Sequence, residues 1–181
     1  MTVPNLITIL RIILVPIFII YMISSRISAA LVIFIIASIS DALDGFIAKV
    51  FHQKSNLGAH LDPLADKILL MTAFITLAIY KMIPSWLAVL TISRDVIILL
   101  GVLVLYLNSY PVKINPSLMS KATTCIQVAT VLIVLSHGNL NIEFLRIYSF
   151  WLTAIFTIAS GLQYIRNGLI ILSQGVNNDF A

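Results

Sequence analysis

Residues 122–142 read ATTCIQVATVLIVLSHGNLNI, twenty-one consecutive positions without a charged side chain. An α-helix needs about 20 apolar residues to cross the hydrocarbon core of a bilayer, and runs of about 18 already indicate a span. A second run, 147–165 (IYSFWLTAIFTIASGLQYI), also qualifies. The other charge-free runs are shorter, at 12–25, 27–40, 68–80, 82–93 and 96–112. The charges that close them therefore lie within helices or at helix ends.

The whole chain agrees with that start. Of 181 residues, 60% are hydrophobic and 10% charged, and the mean hydropathy is +1.07; ordinary soluble domains carry roughly 25% charged residues. So few charges cannot cover the surface of a soluble protein this apolar. The composition excludes a disordered chain, a coiled coil and a conventional soluble enzyme. It predicts an all-α membrane protein, a bundle of six transmembrane helices forming one domain over 1–181. The coarse helix reading is 5–24, 27–51, 58–81, 84–108, 117–137 and 142–172. The breaks fall at Ser24-Ser25, Gln53 to Asn56, Pro84, Asn108 to Pro116 and His137 to Asn141. Arg11 lies inside the first apolar run and Pro16 interrupts it, unlike a cleaved signal peptide.

The net charge of +4 reports orientation and affinity for anionic lipid or phosphate rather than nucleic acid. On the side of the 51–58 and 108–117 connections stand Arg11, Lys49, Lys54, Lys67, Lys113, Lys121 and Arg166; on the other stand Arg26, Lys81 and Arg146. This excess predicts that both termini and those two connections face the cytoplasm, as in a multi-pass protein of the cell's inner membrane. Trp86 and Trp151 read as interfacial aromatics. Cys125, the single cysteine, reads as a small core residue. Gly161, Gly168 and Gly175 recur every seven residues, a stripe that serves either packing within the chain or a dimer contact.

Four of the seven acidic residues fall within 26 positions: Asp41, Asp44, Asp62 and Asp66. Asp41 and Asp44 are spaced i, i+3, and Asp62 and Asp66 i, i+4, so each pair shares a helix face. The short Phe51–Leu57 connection predicts that the two helices are antiparallel neighbours. An isolated aspartate at bilayer depth costs about 2.5–3.5 kcal/mol on insertion scales, and facing carboxylates repel one another. Cations resolve both problems. Carboxylate oxygens suit Mg²⁺, Mn²⁺ or Ca²⁺ rather than zinc. Gly45, Ala48, Gly58 and Ala59 clear space beside the acids, and Lys49, Lys54 and Lys67 add positive charge, a composition fitted to metal-bridged phosphate. Asp62-Pro63 admits a second reading, as an N-cap with proline at the first helical position, which would leave Gly58 in a loop.

The segment Asp41-Ala-Leu-Asp44-Gly45-Phe-Ile-Ala48-Lys49, eight residues, then Gly58-Ala-His-Leu-Asp62-Pro-Leu-Ala-Asp66, resembles the signature of the CDP-alcohol phosphotransferase family, DxxDGxxAR, eight residues, GxxxDxxxD. Lys49 stands where the family pattern has arginine. The resemblance implies a six-helix bundle that transfers a phosphatidyl or similar group from a CDP-linked donor to an alcohol, releasing CMP. It implies two divalent metal ions, Mg or Mn, with Asp41, Asp44 and Asp62 as ligands. Asp66 completes the metal site and acts as general base. Gly45, Ala48, Lys49 and Gly58 line the CDP pocket, and a homodimer is expected. Asn5, Thr8 and Arg11, near the same end of the first helix, are candidate cytidine or phosphate contacts, or interface anchors.

Pro4-Asn5-Leu6-Ile7-Thr8 with Arg11, and Leu61 to Lys67, are similar to phosphatidylglycerophosphate synthases and mitochondrial-type cardiolipin synthases. That branch implies CDP-diacylglycerol as donor and glycerol 3-phosphate or phosphatidylglycerol as acceptor. Both acceptors carry phosphate, so a basic subsite is expected, with Arg94, Lys121 and Lys113 as candidates; Arg94 also reads as a partner in a structural ion pair. Ser93-Arg94-Asp95 without a second arginine, and Ser120-Lys121 with Gln127, look more like the cardiolipin synthase branch. Glycerol 3-phosphate is placed first. An ion-coupled transporter and an aspartate-rich prenyltransferase are the competing classes. The clustering of acids at one end, without inverted repeats, argues against the first, and chain length against the second.

Overall fold

The computed structural model describes the backbone of residues 3–51, 58–107, 118–136 and 143–178, and side chains within 10–40, 67–101, 118–136 and 143–170. The described residues form six helices: α1 (Val3–Ile23), α2 (Ile27–Phe51), α3 (Gly58–Ile79), α4 (Ser85–Leu107), α5 (Leu118–Ser136) and α6 (Glu143–Asn178). α5, and α6 over Glu143–Gly168, are long and apolar enough to cross a membrane; Leu10–Ile23, Ile27–Ser40 and Lys67–Ile79 are shorter apolar stretches.

α1 and α3 end in the same way. Arg26 N–H reaches Tyr21 O at 3.0 Å and Ser25 N–H reaches Met22 O at 3.0 Å; Met82 N–H reaches Leu77 O at 2.9 Å and Lys81 N–H reaches Ala78 O at 3.0 Å. This paired closure satisfies the last carbonyls when one residue adopts the left-handed region. Ser25 (φ 56°) and Lys81 (φ 55°) do so without being glycine.

α1 packs on both α2 and α3, α5 packs on α2, α3 and α6, and α4 bridges α3 and α6. Among the described residues α2 and α3 are not a closely packed pair. α1 lies against both, and the expected facing of the 41–51 and 58–66 ends falls outside the residues whose side chains are described. The apolar core is built from Phe18 and Phe34 (ring centroids 5.9 Å apart), Phe74, Leu77, Leu87 and Val134.

The distribution of polarity is the reverse of a soluble protein's. Arg11, Arg94, Asp95, Thr123, Gln127, Thr130 and Thr153 are buried, whereas Ile20, Ile39, Ile79, Val89, Leu118, Ile155 and Leu162 are exposed. Water would penalise such an aliphatic exterior and lipid would not. The α5–α6 seam shows the internal side. Thr130 and Thr153 hydroxyls lie 2.7 Å apart, Gln127 Nε2 donates to Thr157 Oγ1 at 3.4 Å, and Thr123 Oγ1 donates to Phe156 O at 3.2 Å. Small polar side chains of this kind join helices where lipid offers no hydrophobic drive for association.

Two sequence expectations change. Cys125 is exposed on α5, so it is an outward-facing apolar residue and not part of the core; six other residues of its helix face inward. Of the glycine stripe, Gly161 faces inward, where an added Cβ would meet Arg94 Cγ at 3.6 Å, while Gly168 opens onto free space. Gly161 therefore serves packing within the chain, and the side-chain environment of Gly175 lies outside the described residues.

Candidate active site

The aspartate-bearing segments are helical. α2 runs unbroken through Asp41, Asp44, Gly45, Ala48 and Lys49, and α3 starts at Gly58 and runs through Asp62 and Asp66. Asp62 is therefore inside a helix rather than its N-cap. Pro63, the sixth residue of α3, lacks an N–H and so forgoes one internal hydrogen bond, a local cost within the second turn of the helix. The helical backbone places Asp41 and Asp44 one turn apart, and Asp62 and Asp66 one turn apart. Four hard oxygen donors in this register fit a divalent cation such as Mg²⁺ or Mn²⁺ better than zinc. The side chains of Asp41, Asp44, Gly45, Ala48, Lys49, Gly58, Asp62 and Asp66 lie outside the described residues, as do those of Asn5 and Thr8 on α1, and all of Lys113.

One residue beyond Asp66 the side chains come into view, and they form a buried charged cluster. Lys67 of α3 donates from Nζ to Asp95 Oδ1 at 2.5 Å. The same oxygen accepts from Arg94 Nη1 at 2.7 Å. Arg94 Nη2 donates to Ser120 Oγ of α5 at 2.7 Å and to Ser160 Oγ of α6 at 2.6 Å. Asp95 is 0% exposed and Arg94 4%. Four helices, α3 to α6, thus meet at one aspartate and one guanidinium. Gly161 of α6 lies against the Arg94 stem, where an added Cβ would sit in ordinary contact at 3.6 Å.

The chemistry of the cluster follows from its composition. Two cations and one anion leave an excess positive charge in a low-dielectric setting. Both terminal nitrogens of Arg94 are engaged, so its guanidinium acts as a tie between helices. Its Nε, the second oxygen of Asp95 and the Tyr164 hydroxyl are buried without a hydrogen-bond partner. Lys67, expected among the counter-charges of the aspartates, has its ammonium directed to α4 instead. Lys121, adjacent to Ser120, is exposed. Arg11 is buried, at 1% exposure.

Asp95 and Ser160 were not anticipated as site-building residues. Asp95 carried a signal: an acid flanked by the apolar stretches 82–93 and 96–112 requires a partner on another helix. Ser160 carried none, since its role depends on an arginine 66 positions away.

The family model described as CDP-alcohol phosphatidyltransferase matches residues 1–159. The chain is 34% identical to the CDP-diacylglycerol--glycerol-3-phosphate 3-phosphatidyltransferase of Bacillus subtilis (strain 168), over 89% of this chain and 92% of that protein. It is 32% identical to the cardiolipin synthase (CMP-forming) of Rattus norvegicus, over 92% of this chain and 61% of that protein. It is 28% identical to the CDP-diacylglycerol--glycerol-3-phosphate 3-phosphatidyltransferase of Shigella flexneri, over 90% of this chain and 92% of that protein. With a match across most of its length and the full aspartate signature on two helices, the chain belongs to the CDP-alcohol phosphatidyltransferase family of transferases.

Proposed function

We propose that this protein transfers the phosphatidyl group of CDP-diacylglycerol to glycerol 3-phosphate, giving phosphatidylglycerophosphate and CMP. The observation that carries the choice of acceptor is the end-to-end match to the Bacillus subtilis enzyme, 92% of whose length is covered, against 61% for the rat cardiolipin synthase. Phosphatidylglycerol is the second reading, favoured by Ser93-Arg94-Asp95 without a following arginine. Six membrane spans, cytoplasmic termini, an inner-membrane location and a homodimer belong to the same proposal. The outward aliphatic faces and the excess of basic residues on one side support the spans and the orientation.

Asp41, Asp44, Asp62 and Asp66 would hold two divalent ions, Mg or Mn, which when bound neutralise the diphosphate and the charge developing on the departing CMP. Gly45, Ala48 and Gly58 would give the nucleotide close access to the helix backbones, with Asn5 and Thr8 as further candidate contacts. Lys49 supplies a point charge where arginine would supply a bidentate fork. Asp66 accepts the proton of the acceptor hydroxyl. That oxygen then forms the new ester bond to the phosphatidyl phosphorus as the bond to the CMP oxygen breaks. Lys121, which is exposed, and Lys113 supply the basic subsite for the acceptor's phosphate, while Arg94, buried with its terminal nitrogens on Asp95, Ser120 and Ser160, supports that subsite from inside the bundle.

An acceptor panel tests the choice. Purified protein with CDP-diacylglycerol and Mg²⁺ or Mn²⁺ is offered glycerol 3-phosphate, phosphatidylglycerol, inositol phosphate or serine, and the lipid products are identified. The expected product is phosphatidylglycerophosphate. Cardiolipin as the main product would establish the second reading.

A further inference from the structure

At the end of the bundle opposite the aspartate-bearing helix ends, the α3–α4 turn meets the first turns of α4 and α6 around a cavity of about 430 Å³. Two cations from different elements, Lys81 and Arg146, line it with Ser85, and Met82, Pro84 and Phe150 give it an apolar wall.

Both cations have capacity to spare. Arg146 makes a single long contact, Nη2 to Glu143 Oε1 at 3.3 Å, to a carboxylate whose side chain is 68% exposed. Its Nε is buried and has no hydrogen-bond partner. A guanidinium held this way presents unused donors in the planar fork that suits phosphate oxygens. Lys81 occupies a left-handed backbone position that glycine would adopt without strain. The turn is closed by its backbone alone, so nothing in the turn itself calls for a lysine side chain.

The surroundings fix the depth. Trp86 follows Ser85 and Trp151 follows Phe150; their rings are 5.9 Å apart and both are exposed. Tryptophans of this kind sit at headgroup level. Ile79, Val89 and Ile155, on the three helices that frame the cavity, are exposed aliphatics.

We propose that this cavity binds the phosphate of an anionic phospholipid, with Lys81 and Arg146 on its oxygens, the apolar wall against its glycerol, and the acyl chains along the aliphatic faces of the framing helices. A soluble anion would use the cations but not the apolar wall, which is why a lipid is the occupant. The site lies at the far end from the aspartates and is independent of the acceptor assignment.

The test is lipid retention by native mass spectrometry of detergent-purified protein titrated with dioleoyl phosphatidic acid, with dioleoyl phosphatidylcholine as the zwitterionic control. Lys81→Gly removes the charge while relieving the left-handed backbone, so it separates binding from folding. Phosphatidic acid affinity is expected to fall about five-fold in Lys81→Gly and in Arg146→Gln, and about thirty-fold in the double variant. Phosphatidylcholine retention, melting temperature and CMP release are expected to stay unchanged. Equal phosphatidic acid binding by wild type and double variant would overturn the proposal. Displacement of the lipid by millimolar inorganic phosphate would overturn the lipid assignment.

Discussion

Asp95→Asn is expected to cost about 3–5 kcal/mol of stability, the range for removing one partner from a buried ion pair. The size follows from what remains. Lys67 and Arg94 would be left as two cations sharing one largely buried site, one side chain 22% exposed and the other 3%, with no carboxylate between them. The amide keeps the shape but not the charge. Arg94→Met should cost less, because Lys67 still neutralises Asp95, although Ser120 and Ser160 each lose a donor. Lys67→Met should cost least, since Arg94 remains on the same oxygen and Lys67 is the most exposed of the three. Thermal unfolding in one detergent should therefore rank the melting temperatures wild type, Lys67→Met, Arg94→Met, Asp95→Asn from highest to lowest. A ranking with Lys67→Met lowest would show that the lysine, rather than the aspartate, organises the cluster.

Asp66→Asn is expected to lower turnover by at least about 10³-fold, combining loss of a general base, typically 10²–10⁴-fold, with loss of a metal ligand. Asparagine has nearly the same volume but cannot take the hydroxyl proton. Asp41, Asp44 and Asp62 remain, so Mn²⁺ binding followed by electron paramagnetic resonance should weaken without disappearing. Asp66 lies one residue before the Lys67 that anchors α3 to α4, yet this substitution leaves the anchor intact. The melting temperature should therefore stay close to wild type, separating a chemical from a structural loss. Full turnover in Asp66→Asn would remove it from the role of base.

Local sequence signals located the helices well because each break has a local cause. Pro84 and Ser85 start α4 as expected, and α2 runs over 27–51 as its charge and turn pattern indicates. α6 continues to Asn178, six residues past the expected end. The polar Gln174 to Asn178 stretch reads as a terminus, but extending an existing helix is far easier than nucleating one. The Asp62-Pro63 ambiguity was real in the sequence, where N-cap and interior signals coincide, and the helical start at Gly58 decides it. The aspartate signature was legible because its spacing is local and charges are rare in so apolar a chain. The buried cluster was only half legible. Arg94 and Asp95 were visibly in need of partners, but Lys67, Ser120 and Ser160 are 28, 26 and 66 positions from the groups they bind.

The proposed reaction cleaves CDP-diacylglycerol by transfer to a phosphate-bearing alcohol. Its most direct test is CMP release by the purified protein, measured while a chelated sample is titrated with Mg²⁺ or Mn²⁺, with and without glycerol 3-phosphate. Release is expected to need both metal and acceptor and to be stoichiometric with phosphatidylglycerophosphate. Release without acceptor, release that persists under chelation, or no release with any phosphate-bearing alcohol would contradict it.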